Sequence, residues 1–395
     1  MNLQQIKALE EKYVVNSYKR TNLSIKSGKG ATCQDYDGKN YIDFGTGIGV
    51  NALGFCDSDW VEAICSQAHI LGHVSNLYYT MPGVEAAKLL CEKCGMSKVF
   101  FANSGAEADE GMIKAARKYS QEKYGKEHYE IITLENSFHG RTITTLAATG
   151  QEALHKYFTP FTDGFQYAKA NDIDDLKAKI SDKTAGIMIE LIQGEGGVLP
   201  LNNDYVQAVA KLCAEKDILF LIDEVQTGVG RTGHFYCYQA FDLKPDIVSS
   251  AKGLGGGLPI GAVLFNEKTK DVFAPGDHAS TFGMNPIICA GVKTVIEKLD
   301  DKQLDEVAKK GEKIKNALLK CSNVDSVTGM GLMIGIMPKK GVAAEIMAKC
   351  IEKGLIVLTA KDKIRLLPPL TISEKELDDG IKILIEASKN SYRKT

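Results

Sequence analysis

Residues Pro245–Leu264 read PDIVSSAKGLGGGLPIGAVL, and the reading of this stretch decides the fold. Two apolar runs, one ending at Ile247-Val248 and one spanning Ile260–Phe265, flank a connection that holds Lys252, Gly253, Gly255, Gly256, Gly257 and Pro259. Apolar runs bounded by glycine and proline are strands joined by a tight connection. A single ammonium therefore stands at the tip of a β–loop–β unit, in backbone that lets another body come close. A lysine in that position suits Schiff-base chemistry with a carbonyl. Taken alone, the twenty residues favour an ordinary solvated loop lysine; the rest of the chain reverses that.

Outward from this stretch, further apolar runs at Glu130–Leu134, Ala185–Ile189, Ile218–Ile222 and Asp246–Val248 alternate with amphipathic segments such as Tyr205–Lys216. Continuous apolar strands separated by helices predict an α/β fold with a mostly parallel sheet covered on both faces. Upstream, the short strand beginning at Lys98 runs into Asn103-Ser104-Gly105-Ala106-Glu107-Ala108, which opens a helix to about Tyr124. That junction presents free backbone N–H groups and the positive helix end at Ser104, Gly105 and Ala106, an anion site to which the Ser104 hydroxyl adds a donor. Ser104 also suits a plain helix cap, and the two roles are compatible. Residues 58–94 read as two helices around the loop His73–Pro82, and Asp37-Gly38 is a hairpin turn. Gly45, Gly47 and Gly49 mark a close approach or a bend. From about residue 286 the pattern becomes α+β: helices over 287–320, short strands at Gly331–Met337 and Ile356–Thr359, and a last helix after Ser373. The expected organisation is a large domain over 56–285 and a smaller one built from 1–55 together with 286–395.

A chain of 395 residues with 44% apolar and 25% charged residues is ordinary for a globular protein with a sizeable core. A formal net charge of −2 gives no global field toward nucleic acid or an anionic membrane, so neither is an expected partner. No run of eighteen apolar residues suggests a membrane span. The polar start MNLQQIKALEEKY lacks a secretory core, and the ten cysteines have no regular framework; reduced thiols and a cytoplasmic location are expected. Cys91 and Cys94 form one CxxC without a second pair, and the seven histidines show no ligand spacing, so no metal site is expected.

In α/β folds ligands sit beyond the carboxyl ends of the strands. Strand ILFLID ends in Asp223, followed by Glu224, Val225 and Gln226. A carboxylate at the end of a buried strand needs a cationic partner, and a protonated ring nitrogen would serve. The commoner reading of such a residue is a cap or a salt bridge. Strand AGIMIE ends in Glu190, with Gln193, Glu195, Gly196 and Gly197 after it. The segment NSFHGRT offers Phe138 as a flat apolar face and Arg141 as a carboxylate fork. Ser280 and Thr281 place two hydroxyls beside FGMNP, and Arg365 lies on the apolar run IRLLPPL, where a guanidinium has few routes to water. A phosphate cradle, an aromatic plate, a carboxylate, a Schiff-base lysine and two carboxylate forks together are what pyridoxal 5′-phosphate chemistry requires.

The motifs FFANSGAEA, SFHGRT, IQGEGG, LIDEVQTGVGRTG, AKGLGGGLPIGA and HASTFGMNP carry a close resemblance to the class III aminotransferases of the fold-type I pyridoxal-phosphate enzymes, over nearly the whole chain. The resemblance implies that Lys252 binds the cofactor carbonyl, that Asp223 keeps the pyridine nitrogen protonated and that Gln226 meets the ring hydroxyl. It implies that Val225 and Phe138 sandwich the ring, and that Ser104, Gly105 and Ala106 bind the phosphate. It also implies a homodimer with shared active sites, in which Thr281 reaches the phosphate of the neighbouring subunit's cofactor. Arg141, with Ser280 beside it, would hold the substrate α-carboxylate. Arg365 would bind 2-oxoglutarate, and Glu195 would pair with Arg365 and move aside between half-reactions. Within the family the likeness is strongest to enzymes that act on N2-acetylornithine; Ile48 stands where relatives using free ornithine carry a tyrosine. Other ω-amines, namely succinyl-diaminopimelate, ornithine and 4-aminobutyrate, stay open as substrates. Asp109 stands where asparagine is common, Phe55 where histidine is, Leu191 where proline is, and Met284 where glycine is. A nucleotide switch built on AKGLGGG is the competing class, but it lacks GxxxxGK[ST] and its lysine precedes the glycines.

Overall fold

The fold is centred on one sheet whose strands are apolar on both faces. In the computed structural model, which describes residues 2–389, seven strands lie in the order Lys98–Ala102, Gly261–Phe265, Ile247–Ala251, Leu219–Asp223, Thr184–Ile189, Glu130–Leu134 and Phe165–Ala168. Neighbours run parallel except around Gly261–Phe265, which is antiparallel to both of its partners. Every residue of the four central strands is buried. Along each strand alternate side chains enter opposite layers of the core. Leu219 and Leu221 pack with Met112, Ile247 and Val263 on one side, while Phe220 and Ile222 join Ile187, Val248 and Leu264 on the other.

The opening stretch folds as read. Ile247–Ala251 and Gly261–Phe265 pair antiparallel, and Lys252–Gly255 makes a single tight turn at the tip. The helix Gly105–Tyr124 packs Ala108, Asp109, Met112 and Ile113 onto the sheet. The helices Ser58–Ile70 and Met81–Cys94 flank the expected loop, and the second stops at Gly95, whose φ of 73° closes the helix in the left-handed region. Cys91 and Cys94 occupy its last turn; Cys94 is buried, Cys91 half-buried, and both are free thiols.

A second, four-stranded antiparallel sheet, ordered Val324–Met330, Met333–Pro338, Lys363–Leu366 and Leu358–Ala360, carries Arg365. The N-terminal strands Ile25–Lys29, Thr32–Asp35 and Asn40–Asp43 are completed by Leu355–Ile356, so chain segments more than 300 residues apart share one sheet. The segment expected to run over 286–395 ends beyond the described residues, with 390–395 outside them. Four strands escaped the sequence pattern, two of them the two-residue antiparallel pair Ile192–Gln193 and Leu199–Pro200. Phe165–Ala168 is a four-residue edge strand, and Val324–Met330, VDSVTGM, mixes polar and small residues because it is only partly buried. Gly45–Gly49 is a tight bend: Thr46–Gly49 forms one turn in which Gly47 and Ile48 have φ of 61° and 68°.

Candidate active site

The carboxyl ends of the central strands open onto a cavity of about 500 Å³ lined by Ser104, Gly105, Ala106, Phe138, Arg141, Asp223, Val225, Gln226 and Lys252, which brings together nine of the side chains singled out above. The hairpin tip delivers Lys252 there with φ of 43°, a left-handed conformation that lysine adopts only when the surroundings impose it. The glycines make the approach possible. A Cβ on Gly261 would lie 2.2 Å from the Ser104 carbonyl oxygen, and one on Gly105 would lie 2.8 Å from Val225 Cγ1. The lysine hairpin, the Ser104 junction and the Asp223 strand end thus close on one another only because these positions lack side chains.

At the Ser104 junction the hydroxyl caps the helix, accepting from Glu107 N at 3.1 Å. The N–H groups of Gly105 and Ala106, which helix geometry leaves without an intrahelical partner, stand at the cavity wall. The capping role and the anion site coexist.

Asp223 is buried and held by two donors. Val225 N donates to Oδ1 at 2.9 Å, and His139 Nδ1 donates to Oδ2 at 2.7 Å. Burial pulls His139 down, but the bond to Asp223 and the charges of Asp223 and Glu190 outweigh it and leave its pKa raised. Glu190, also buried, accepts from Phe138 N at 3.0 Å and from Gly194 N at 3.3 Å. It ties the loop carrying the aromatic plate to the loop carrying Glu195, and burial raises its pKa to about 7. Loss of water around Lys252 lowers its pKa, although the carboxylates of Glu195 and Asp223 oppose this. A lowered amine pKa enlarges the neutral, nucleophilic fraction.

Arg365, 3% exposed, lies behind Gln226. Its Nη1 donates to Glu195 Oε1 at 2.5 Å and to Gln226 Oε1 at 3.1 Å. Arg141 is exposed at the rim, with its guanidinium 5.4 Å from the centre of the Phe138 ring. Ser280 is one residue removed from the cavity: its Oγ accepts from Asn103 Nδ2 at 3.0 Å, and Asn103 lines the wall. Thr281 is exposed and is not part of this chain's own cavity.

Among the polar residues that line the cavity, His139, Asp109, Asn103 and Glu190 had no role assigned from sequence. His139 sits inside the quoted motif SFHGRT, and its polarity between Phe138 and Gly140 was the available signal.

A helix N-terminus beside close-packed glycines suits a phosphate. A buried, doubly supported carboxylate suits a ring cation, and a cavity lysine of lowered pKa suits a carbonyl; the donor set fits pyridoxal phosphate. The family model described as aminotransferase class-III matches residues 13–387. The chain belongs to the class III aminotransferases. It is 50% identical over 388 residues to an acetylornithine aminotransferase of Haemophilus ducreyi, covering 98% of this chain and 99% of that one. It is 47% identical to another from Caldanaerobacter subterraneus subsp. tengcongensis, covering 95% and 97%. Among solved structures it resembles the ornithine aminotransferase of Toxoplasma gondii, with TM-score 0.94, 29% identity and coverage of 99% and 96%. It also resembles the N-acetylornithine aminotransferase of Stenotrophomonas maltophilia, with TM-score 0.84, 32% identity and coverage of 97% and 98%. The enzyme is a pyridoxal-phosphate-dependent transaminase with the fold-type I architecture.

Proposed function

We propose that this aminotransferase moves the terminal amino group of N2-acetylornithine to 2-oxoglutarate, giving N-acetylglutamate 5-semialdehyde and glutamate, a reaction of arginine biosynthesis. The observation that carries this reading is the nearly full-length identity of up to 50% to acetylornithine aminotransferases. Ile48 supports it. Ile48, a β-branched residue held at an uncommon φ of 68° and 45% exposed, lies two residues before the cavity residue Val50, and its side chain is apolar. That suits an acylated amine better than a second free ammonium.

When bound, pyridoxal phosphate supplies the electron sink for the carbanion formed at the amine-bearing carbon. Ser104, Gly105 and Ala106 would hold its phosphate, Asp223 its ring nitrogen, Gln226 its ring hydroxyl, and Phe138 and Val225 its faces. Lys252 Nζ would hold the cofactor's carbonyl and is the group placed to take the proton from the amine-bearing carbon as general base. Arg141, with Ser280, fixes the substrate α-carboxylate. Glu195 neutralises Arg365 while the amine is bound and releases it to the second carboxylate of 2-oxoglutarate. The kinetics are ping-pong.

The test is the visible spectrum while single amines are added without an oxoacid. The cofactor band is lost with N2-acetylornithine and returns with 2-oxoglutarate. Loss only with 4-aminobutyrate, free ornithine or succinyl-diaminopimelate would move the substrate while leaving the family intact.

The same reading makes the enzyme a cytoplasmic homodimer, with residues 56–285 as the cofactor domain and 1–55 plus 286–395 as the smaller one. Ten free cysteines fit a reducing compartment. Leu77, Tyr78, Tyr79, Met81 and Phe282 are large exposed side chains, and Asn76 donates to the carbonyls of Ser280 and Gly283. This apolar surface beside Thr281 suits burial against a second copy. Sedimentation is expected at twice the chain mass; an active monomer would contradict the shared site. Among the described residues no helix is long and apolar enough to cross a membrane.

A further inference from the structure

Asp109 lies one turn into the helix Gly105–Tyr124, 1% exposed, on the face that packs against the sheet. One carboxylate oxygen from each of Asp109 and Asp223 and one ring nitrogen of His139 lie within 4.8 Å of one another, and all three residues are buried. Two ionised carboxylates that close, out of water, repel strongly enough that one keeps a proton. Which one keeps it follows from the partners. Asp223 accepts from Val225 N and from His139 Nδ1, so it is already solvated as an anion. Asp109 Oδ1 is buried with no partner, a costly position for a charged oxygen. We infer that Asp109 is held as the neutral acid and lends its proton to the Asp223 carboxylate, which makes it a positioning residue for the cofactor's ring nitrogen.

The surrounding charges agree. Asp223 on its strand end and Glu190 at the end of Thr184–Ile189 are both acidic neighbours. Burial first, and then the Asp223 charge, push Asp109 well above the usual carboxylate range. The opposing groups are the Ser249 hydroxyl on the adjacent strand, His139, which is engaged with Asp223, and Lys252, which lines the same cavity. An amide at position 109 would donate equally well but could never ionise. The carboxyl adds a proton that leaves at high pH, so the net charge facing the ring nitrogen becomes pH-dependent in this enzyme.

Infrared spectra of the purified protein at neutral pH test the protonation directly. Relative to wild type, Asp109→Asn is expected to lose one carboxylic-acid carbonyl band; an unchanged acid region would mean that Asp109 is ionised and overturns the inference. This arm does not depend on the cofactor. The second arm is equilibrium titration of the cofactor-free protein with pyridoxal phosphate. Asp109→Asn keeps a donor toward Asp223 and binds within about threefold of wild type. Asp109→Leu has similar bulk but no donor, and it binds about tenfold or more weakly, the effect of one charge-assisted hydrogen bond. Equal affinity of the Leu and Asn variants would reduce Asp109 to space filling and overturn the positioning role.

Discussion

In the Lys252→Ala variant, turnover falls by at least about 10²–10⁴-fold, the range for loss of a positioned general acid–base. The reason is geometric. Lys252 is the amine among the cavity's lining residues, at the hairpin tip; the nearby cations Arg141 and Arg365 are guanidiniums, and Arg365 is engaged with Glu195. Single-turnover absorbance with N2-acetylornithine checks the loss, and near-wild-type turnover would remove Lys252 from the chemistry. The same substitution has a thermodynamic signature without cofactor. The folded pKa of Lys252 is lowered from the ordinary value of 10.5. Between that lowered value and 10.5 the unfolded chain binds more protons than the folded one, so wild-type stability rises with pH across the window and carries the full penalty below it. Removing the amine removes the penalty. The cofactor-free Lys252→Ala protein therefore unfolds at a temperature no lower than wild type at neutral pH, with a flatter pH dependence. A lower midpoint at neutral pH would mean that the amine is not destabilised by its surroundings.

The parts that were legible in the sequence are those set by local pattern. The central strands announce themselves as apolar runs because both of their faces are covered, and the Lys252 hairpin does so because glycine and proline bracket it. Ser104 was readable as a strand-to-helix junction. What escaped depends on separation along the chain. His139 acquires meaning only from Asp223, 84 residues later, whereas the Arg365–Glu195 pair, 170 residues apart, came from the family resemblance and not from local pattern. Asp109 is legible as an unusual residue in its motif, yet its role follows from burial against Asp223, which no periodicity reveals. Phe165–Ala168 and Val324–Met330 lacked an apolar signature because an edge strand and a partly buried strand do not need one.

Arg365→Ala separates the two half-reactions. Arg365 is almost fully buried, so the ion pair with Glu195 is poorly screened. Burial raises Glu195, but the charge and hydrogen bond of Arg365 overcome this and hold its pKa down, so the carboxylate stays ionised and available as a counter-charge. On the proposed assignment, an N-acetylated amine brings one carboxylate for Arg141 and leaves the Arg365–Glu195 pair closed. 2-Oxoglutarate brings a second carboxylate that must displace Glu195. Removing a charge-assisted contact of about 1.5–3 kcal/mol raises KM for 2-oxoglutarate about 10–100-fold, while the amine half-reaction changes by a few-fold at most. Arg141→Ala, in contrast, weakens both substrates. Glu195→Gln gives the complementary result. Arg365 stays positive throughout, dicarboxylates including product glutamate bind more tightly, and the amine half-reaction slows under glutamate inhibition. Stopped-flow measurement of each half-reaction alone decides the matter. Equal losses in both half-reactions for Arg365→Ala and Arg141→Ala would mean that the pair is structural and that another group discriminates one carboxylate from two.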